Sequence, residues 1–540
     1  MYKESFFFTY FSVNNFYLSS NKVFLLRFVK AIPHTAGALC AVGQKQAKAP
    51  AYRLFHKICV TLQAERNTEF MRLSSTGPWR PFLLLLPTCL ALIGMRYMPQ
   101  VYIGPYEVKG VDLLADVMPD EQATQAGNGG HGTAAGTSST ANVDGGNGVT
   151  PEAARSQAAR DTCPAGIVCF EDYSDHGPHG MDAFYAALKT RHTLGRPVRV
   201  AYFGDSFIEG DLITDHLRRL MQDKWGGCGV GFVDIASEFI ALRPTLRHKA
   251  EGWTEYNVMQ AKHNATADGA ISGRCARAGG EAWAEYAAVR GMAHLDSFST
   301  ATLYLTAAEP GHAALRTNGS TADTTLAIAG HKALEALTLT APMRQVRFTV
   351  PAQTVCYGMA LEGSDGIVVD NFSLRGSSGM QLTAMSEEVL TQWHRVRPYD
   401  MIILQYGLNV VNNKQTNYSA YANRMSQAVQ HLKKGFPQTA IVIVGVGDRE
   451  NRENGQLTTM RSIFNLMDAQ QSMAAENGVV FWNLYEAMGG EGSIRRMAES
   501  EHPEAAKDYT HINRRGGQRV ATAMFRSILH GWKNYNEHTQ

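Results

Sequence analysis

The sequence predicts an α/β fold with a parallel sheet in the C-terminal part of the chain, interrupted by an all-β region. Short apolar runs alternate there with segments of helical periodicity, which is typical of a parallel sheet with crossover helices. Several of these runs end in turns rich in Gly, Ser and Asn. Between the first two runs, strand-like segments follow one another without intervening helices.

The first apolar run, residues 198–203, is β-branched and aromatic and is bounded by Pro and Gly, which predicts a buried strand. Gly204-Asp205-Ser206 follows it, and apolar residues then recur at helical spacing across residues 212–221. Ser206 is therefore expected between the carboxyl end of a strand and a helix N-terminus, where open α/β sheets bind ligands and free N–H groups stabilise anions. Taken alone, the motif is also typical of a helix N-cap.

Two further runs end in turns, one with a glycine and one with an asparagine. Residues 367–372 precede a small-residue turn that contains Gly376, and residues 400–405 precede a turn that contains Asn409. A glycine lets a ligand approach the backbone N–H closely, and an asparagine amide can donate from its side chain. Ordinary solvent-facing turns are the alternative interpretation of both.

Near the C-terminus, Asp508 and His511 form a D-x-x-H motif before a helical pattern over residues 520–532. A histidine with a carboxylate at fixed spacing suits proton transfer to and from a nucleophile. An isolated motif of this kind is also typical of a surface helix entry with Asp as the cap. His502 is a rival base, but it lacks the matched Asp spacing.

In this order, the four blocks resemble those of the SGNH (GDSL-like) serine hydrolases. The resemblance implies a flavodoxin-like parallel sheet with helices on both faces. It also implies Ser206 as the nucleophile, His511 as the general base and Asp508 as the residue that orients the histidine.

The same resemblance implies an oxyanion hole. Its donors would be the backbone N–H groups of Ser206 and Gly376 and the side-chain amide of Asn409. Val410 stands where many members of the family have an acidic residue, so the subfamily stays open.

Residues 241–361 lie between the first two blocks and contain strand-like stretches separated by turns, which predicts an inserted β-sandwich. This layout resembles the peptidoglycan O-acetylesterases of the family, which carry a carbohydrate-binding-like β module there. The resemblance implies an acetylated glycan, most directly peptidoglycan, as substrate. Four aromatic residues of the insertion are candidates for stacking on sugars or, more commonly, for core packing: Trp253, Tyr256, Trp283 and Tyr304.

The N-terminal part of the chain has a different character. Basic residues after Met71 precede an apolar run at residues 82–95, which predicts an export signal. We expect residues 82–103 to be an uncleaved membrane anchor, and a cleaved signal peptide or a buried core helix is the alternative. From residue 121 onward Gly, Ala, Thr, Ser and Asn dominate, which predicts a linker. The start of the protein is either Met1 or Met71. The predicted catalytic domain would then lie on the periplasmic or cell-surface side.

The expected organisation begins with an unassigned extension (residues 1–70), a signal segment (71–103) and a linker (104–160). A hydrolase domain follows in two parts (161–240 and 362–540), with the inserted module (241–361) between them.

Composition excludes some partners and cofactors. With 51 basic and 49 acidic residues the formal charge is +2, which gives no reason to expect a nucleic acid. The sequence contains no HExxH or Cys/His zinc pattern, so neither a metal nor another cofactor is expected. The eight cysteines form no dense disulfide framework, and Cys163 and Cys169 can either bridge locally or remain thiols.

The expected function is therefore removal of O-acetyl groups from peptidoglycan by a Ser-His-Asp mechanism. The same blocks also suit an O-acetyltransferase or a lipid or aryl esterase. A catalytically inactive carbohydrate-binding surface protein is the alternative from another class, although a binding scaffold has no need of all five candidate residues.

Overall fold

The computed structural model describes residues 163–174, 180–260, 264–453 and 455–539. The chain divides into two units, residues 1–141 and 142–540. In the first unit, the backbone of an antiparallel hairpin is described, formed by β1 (Val101–Ile103) and β2 (Tyr106–Val108). The expected N-terminal extension, the apolar run of the anchor and the linker up to residue 160 otherwise lie outside the described residues. Within the described part, no helix is both long and apolar enough to span a membrane.

The second unit contains the elements that build the site. Its strands are β3 (Glu171–Asp172), β4 (Val198–Gly204), β5 (Gly231–Val233), β6 (Leu246–Asn257), β7 (Arg274–Ala288), β8 (Phe298–Thr306), β9 (Gly311–Thr317), β10 (Thr324–Ile328), β11 (Glu335–Met343), β12 (Gln345–Val350), β13 (Val355–Glu362), β14 (Ile367–Ser373), β15 (Met401–Gln405), β16 (Ala440–Val444), β17 (Glu450–Glu453), β18 (Gln456–Thr459) and β19 (Val480–Trp482). Its helices are α1 (Asp182–Lys189), α2 (Thr214–Trp225), α3 (Glu387–Val396), α4 (Ser419–Gly435), α5 (Ser462–Glu476), α6 (Leu484–Met488), α7 (Ser493–Glu499) and α8 (Arg514–His538).

Six strands form a sheet in the order β14-β4-β15-β16-β19-β3. The first five are parallel to one another, and β3 pairs antiparallel with β19. Every residue of β4, β15 and β16 is buried, which explains why these strands are continuous apolar runs in the sequence. The predicted α/β class with a parallel sheet is therefore confirmed.

Helices cover both faces of this sheet. Successive side chains of a strand point to opposite faces, so each strand contributes to two cores. Val200 and Tyr202 of β4 pack in one core with apolar residues of α1, α2 and α8. Ala201 and Phe203 pack in the other core, with residues of α3, α4 and α5.

Strands β5 to β13 form one nine-stranded antiparallel sheet. Its main order is β10-β9-β12-β7-β13-β8-β11, with β5 on β13 and β6 on β7. The two outer strands β10 and β11 contact each other, so the sheet nearly closes on itself. We expected a sandwich of two separate sheets. Instead, β7 connects the strands on its β12 side with those on its β13 side, because it pairs with β13 near residues 276–277 and with β12 over residues 282–287.

The two sheets share an apolar core. Helix α3 packs against one face of the parallel sheet. Its Trp393 contacts the rings of Phe232, Tyr304 and Tyr357 from the antiparallel sheet. Tyr304 is 1% exposed, so of the four aromatic candidates it belongs to the core. The other three, Trp253, Tyr256 and Trp283, are partly buried.

A buried ion network also links the sheets. Arg397 donates to Asp370 at 2.8 and 2.9 Å and to Glu362 at 3.0 Å, and Arg199 donates to the same Glu362. Asp370 also accepts the backbone N–H of Phe232 at 2.8 Å. Burial works to raise the pKa of Glu362, but the two arginines outweigh it and lower the pKa to about 2.

Cys163 and Cys169 form a disulfide bond, which resolves the choice that the sequence left open. The other described cysteines are the free thiols of Cys228, Cys275 and Cys356.

Candidate active site

The register of the parallel sheet brings three of the predicted blocks to one edge. Gly204, the last residue of β4, pairs with Ser373 on one side and with Gln405 on the other. Parallel strands have their carboxyl ends at the same edge, so the turns after β4, β14 and β15 lie side by side. These turns carry Ser206, Gly376 and Asn409.

The loop before α8 brings the fourth block to the same place. Ser206 Oγ lies 3.3 Å from His511 Nε2, and His511 Nδ1 lies 2.7 Å from Asp508 Oδ2. The structure thus joins all three predicted triad residues into one hydrogen-bonded series. The rival base His502 is exposed, and its ring bonds to none of the described residues.

Local hydrogen bonds hold the Asp508 carboxylate toward the histidine. Its Oδ1 accepts the backbone N–H groups of Thr510 and His511, each at 3.0 Å, which leaves Oδ2 facing His511 Nδ1. Partial burial acts to raise the pKa of Asp508, but the bonds from His511 outweigh it and hold the pKa below its ordinary value. The carboxylate is therefore ionised at neutral pH and favours the tautomer with hydrogen on Nδ1.

The turn at Ser206 differs from the one we expected. A 3₁₀ turn, Glu209–Asp211, follows Ser206, and α2 begins only at Thr214. Both Gly210 and Asp211 have a φ of 62°, in the left-handed region, which interrupts the helical path. Buried Asp211 is held in this conformation by Thr214 and Arg243, at 2.8 and 3.0 Å. Ser206 thus lies between the carboxyl end of β4 and helix α2, as predicted, but a 3₁₀ turn that we did not predict separates it from the first turn of that helix.

Gly376 occupies the turn closed by the hydrogen bond from Ser377 N–H to Leu374 O, at 3.0 Å. Its φ of 77° favours glycine, and a β-carbon added there would meet only open space. Among the described residues, its N–H donates no backbone hydrogen bond. The N–H group is thus unbonded in a turn beside the nucleophile turn.

Asn409 is held by two acceptors. Its Nδ2 donates to Asp205 Oδ2 and to the Ser377 carbonyl oxygen, each at 3.0 Å. Asp205 is only 2% exposed, and its other oxygen accepts the N–H of Phe207 at 2.9 Å. Burial raises the pKa of Asp205 to about 6, although the Phe207 N–H, the positive charge of His511 and the Asn409 amide favour the carboxylate.

A cleft of about 360 Å³ opens beside Ser206 and His511. Its apolar lining is Phe207, Leu212, Leu242 and Ile512. Of these, Leu242 comes from a 3₁₀ turn, Glu238–Leu242, just before β6, and the residue is 51% exposed. The segment that leads into the antiparallel sheet therefore forms part of the wall of the cleft.

Sequence reasoning missed the charged residues of this cleft. The guanidinium of Arg375, next to Gly376, pairs with both oxygens of the buried Glu209 carboxylate. Arg514 bonds to Asp215 at 3.1 Å. A signal existed for the first pair, since Glu209 follows Ser206 by three residues and Arg375 directly precedes Gly376. No group of three or more His, Cys, Asp or Glu side chains in the described ranges is placed to hold a metal ion.

The second unit is similar in fold to a solved peptidoglycan O-acetylesterase, in agreement with the α/β fold that the resemblance to the SGNH (GDSL-like) hydrolases implied. A solved structure of a peptidoglycan O-acetylesterase matches with a TM-score of 0.57 and 20% identity, over 68% of this chain and 99% of that one. An acetyl xylan esterase has a TM-score of 0.23 and 15% identity, over 30% of this chain and 80% of its own. A family two carbohydrate esterase from Cellvibrio japonicus has a TM-score of 0.22 and 10% identity, over 54% and 99%.

No protein-family model matches the sequence, and no curated protein is significantly similar to it. The fold and the Ser206–His511–Asp508 geometry together support a serine ester hydrolase.

Proposed function

We propose that this chain is a serine O-acetylesterase that removes acetyl groups from a glycan, with peptidoglycan as the substrate. The observation that carries the proposal is the hydrogen-bonded series of Ser206, His511 and Asp508, which opens into a cleft at the carboxyl edge of the sheet. The similarity in fold to a peptidoglycan O-acetylesterase, along nearly the whole of that structure, supports the choice of substrate.

In the first half-reaction, Ser206 Oγ attacks the ester carbonyl carbon while His511 Nε2 takes the hydroxyl proton. The tetrahedral intermediate then collapses, the sugar oxygen leaves with the proton from His511, and the acetyl group stays on Ser206. In the second half-reaction, His511 takes a proton from water, which attacks the acetyl carbonyl carbon. Acetate is released and Ser206 regains its proton.

The remaining groups stabilise the charges that form. Asp508 keeps the His511 ring in the required tautomer and stabilises the imidazolium. The N–H groups of Ser206 and Gly376 and the amide of Asn409 are assigned to the oxyanion. Losing one such donor typically lowers the turnover number by about 10²- to 10³-fold.

The proposal assigns residues 241–361 the role of a carbohydrate-binding-like module that holds the glycan. The cleft supports this assignment, because Leu242 lies in its wall together with Ser206 and His511. A long glycan that crosses the cleft would therefore contact both regions of the chain.

We further propose that the protein is exported and attached to a membrane through the apolar run that begins at residue 82, with its catalytic unit on the periplasmic or cell-surface side. The end of the segment expected from the sequence, Val101–Ile103, is left out because it forms strand β1 of a hairpin. The apolar run after the basic residues near Met71 supports this assignment. The Cys163–Cys169 disulfide is typical of an oxidising compartment. Cell fractionation of the full chain, compared with a variant that lacks residues 1–103, tests the proposal: both forms in the soluble cytosolic fraction would contradict it.

The test of the activity is acetate release by the full chain from O-acetylated peptidoglycan, from acetylxylan and from a long-chain ester, with Ser206→Ala as the control. We expect the wild type to release acetate from O-acetylated peptidoglycan and Ser206→Ala to release none. Preference for the long-chain ester would indicate a lipid esterase, and transfer of acetyl groups to an added glycan would indicate a transferase. Binding of peptidoglycan without release of acetate would indicate an inactive binding protein.

A further inference from the structure

The residue before the nucleophile has no role in the mechanism above, yet it lies at the centre of the site. Asp205 is 2% exposed, in the turn between β4 and Ser206. Its two carboxylate oxygens accept from different partners: Oδ1 from the backbone N–H of Phe207 and Oδ2 from the side-chain amide of Asn409. A buried carboxylate that bonds a proposed oxyanion donor is well placed to control that donor.

The hydrogens of Asn409 make this control specific. A side-chain amide carries two N–H hydrogens. Asn409 Nδ2 donates at 3.0 Å to Asp205 and at 3.0 Å to the Ser377 carbonyl oxygen, so both hydrogens are committed. Ser377 directly follows Gly376, so one nitrogen atom connects the nucleophile turn, the Gly376 turn and the Asn409 turn. To donate to an oxyanion, Asn409 must release one of its two acceptors.

The two acceptors differ in strength. Asp205 offers a carboxylate, and hydrogen bonds to ionised acceptors are roughly twice as strong as those between neutral groups. Ser377 offers a neutral backbone carbonyl. Both acceptors are buried, since Asp205 is 2% exposed and Ser377 is 0% exposed, so the negative charge of Asp205 is what distinguishes them. The bond to Ser377 is therefore the one that a developing oxyanion replaces.

We propose that Asp205 is a positioning residue for the oxyanion hole: its carboxylate keeps hold of Asn409 Nδ2 while the second amide hydrogen moves from the Ser377 carbonyl to the substrate oxyanion. This inference rests on the proposed function, since it takes Asn409 as an oxyanion donor.

The test is a double-mutant cycle on the full chain, with 4-nitrophenyl acetate as the probe and Asp205→Asn, Asn409→Ala and the double variant as proteins. Asp205→Asn keeps the side-chain volume but removes the charge, and it can place an NH₂ group against the amide of Asn409. We expect each single variant to lower kcat by about 10²-fold or more, as for the loss of one oxyanion donor, with little change in KM. The kcat of the double variant should lie within about twofold of that of the slower single variant, because Asp205 acts through Asn409.

Two outcomes of this cycle would overturn the inference and leave the proposed function standing. One is an unchanged kcat in Asp205→Asn, and the other is a further tenfold loss when Asp205→Asn is added to Asn409→Ala, which would place its effect at Phe207. If the wild type is no faster than Ser206→Ala, the proposed function fails as well, so the two failures can be told apart.

Two further variants separate positioning from folding. Asp205→Ser can keep a hydrogen bond to the Phe207 N–H two residues on, but it is too short to reach Asn409, so it should lose kcat like Asp205→Asn. Asp448→Asn is the matched control, because Asp448 is a fully buried carboxylate that also follows a parallel strand and accepts a backbone N–H, from Ile494 at 2.9 Å. It should lower the melting temperature but leave kcat per folded molecule near the wild-type value. A loss of kcat in Asp448→Asn equal to that in Asp205→Asn would overturn the assignment.

Discussion

Two clusters of charged side chains in this protein differ sharply in their surroundings. At the active site, the side chains of Asp508 and His511 are each 48% exposed, they lie 2.7 Å apart, and His511 lines a cleft. Between the two sheets, the side chains of Arg397, Glu362 and Asp370 are at most 2% exposed, and they bond to one another and to Arg199 and Tyr399.

The difference shows how one chain separates chemistry from stability. An exposed hydrogen bond such as the one between Asp508 and His511 contributes little to folding, since water competes for both partners, but a substrate can reach it. A buried network is inaccessible to substrate, and removing one partner leaves a charge without compensation in the interior. Substitutions in the first cluster should therefore change the rate of the reaction, and substitutions in the second should change the free energy of unfolding.

The largest expected effect is on the rate, in the exposed cluster. His511→Ala should lower kcat by roughly 10⁴-fold or more, because the nucleophile then has no base. Asp508→Ala combined with His511→Ala should cost little beyond His511→Ala alone, since triad residues act as a unit. Steady-state kinetics with 4-nitrophenyl acetate and thermal melts measure both properties. If the losses of kcat from the two substitutions multiplied in the double variant, the two residues would not act as a unit. A large drop in melting temperature would show that this cluster also stabilises the fold.

The next effect is on stability, in the buried cluster. Glu362→Gln should lower the free energy of unfolding by about 3–5 kcal/mol, the range for breaking a buried ion pair, while kcat per folded molecule stays near wild type. Urea titration monitored by circular dichroism measures it. The control is Asp323→Asn, which removes the exposed partner of Arg316 and should change stability little. Equal effects of the two substitutions would show that burial of the network does not matter.

The contribution of Glu362 should also depend on pH in a defined direction. Its pKa of about 2 in the folded protein lies below the ordinary value of 4.5, so the ionised carboxylate stabilises the fold at neutral pH. This stabilisation is lost as pH falls from about 4.5 toward 2. The stability difference between the wild type and Glu362→Gln should therefore be constant above about pH 6 and shrink below about pH 4. A difference that grows on acidification would contradict the ion network.

The smallest effect should appear where the antiparallel region meets the cleft. Leu242→Ala should lower kcat/KM on O-acetylated peptidoglycan by about three- to tenfold and spare 4-nitrophenyl acetate, because only the polymer reaches that part of the wall. Met259→Ala is the matched control, since Met259 is a similarly exposed apolar residue, 45% against 51%, that does not line the cleft. Equal losses on both substrates would point to a structural role for Leu242.

The sequence predicted the elements that obey a local rule. Strands such as β4 and β15 are buried on both faces, so they are recognisable as short apolar runs. Once these strands are parallel neighbours, their turns must meet at one edge, and the proximity of Ser206, Gly376 and Asn409 follows. The D-x-x-H spacing likewise let Asp508 and His511 be paired from the sequence.

What the sequence did not predict depends on partners far apart in the chain. Glu362 pairs with Arg199, 163 residues away, and no local pattern marks such a pair. The turn after Ser206 departs from a simple helix start because Asp211 bonds Arg243, 32 residues later. The single nearly closed sheet also depends on which strands β7 pairs with at its two ends. In each case tertiary contacts override a plausible local interpretation.

The most direct test of the central claim is covalent labelling of Ser206. The full chain would be treated with a fluorophosphonate, digested and analysed by mass spectrometry, with Ser206→Ala and His511→Ala alongside. We predict one phosphonylated serine, Ser206, with no label in Ser206→Ala and greatly slowed labelling in His511→Ala. Labelling of another serine, or labelling of Ser206 at the same rate without His511, would contradict the claim that these residues form a working catalytic unit.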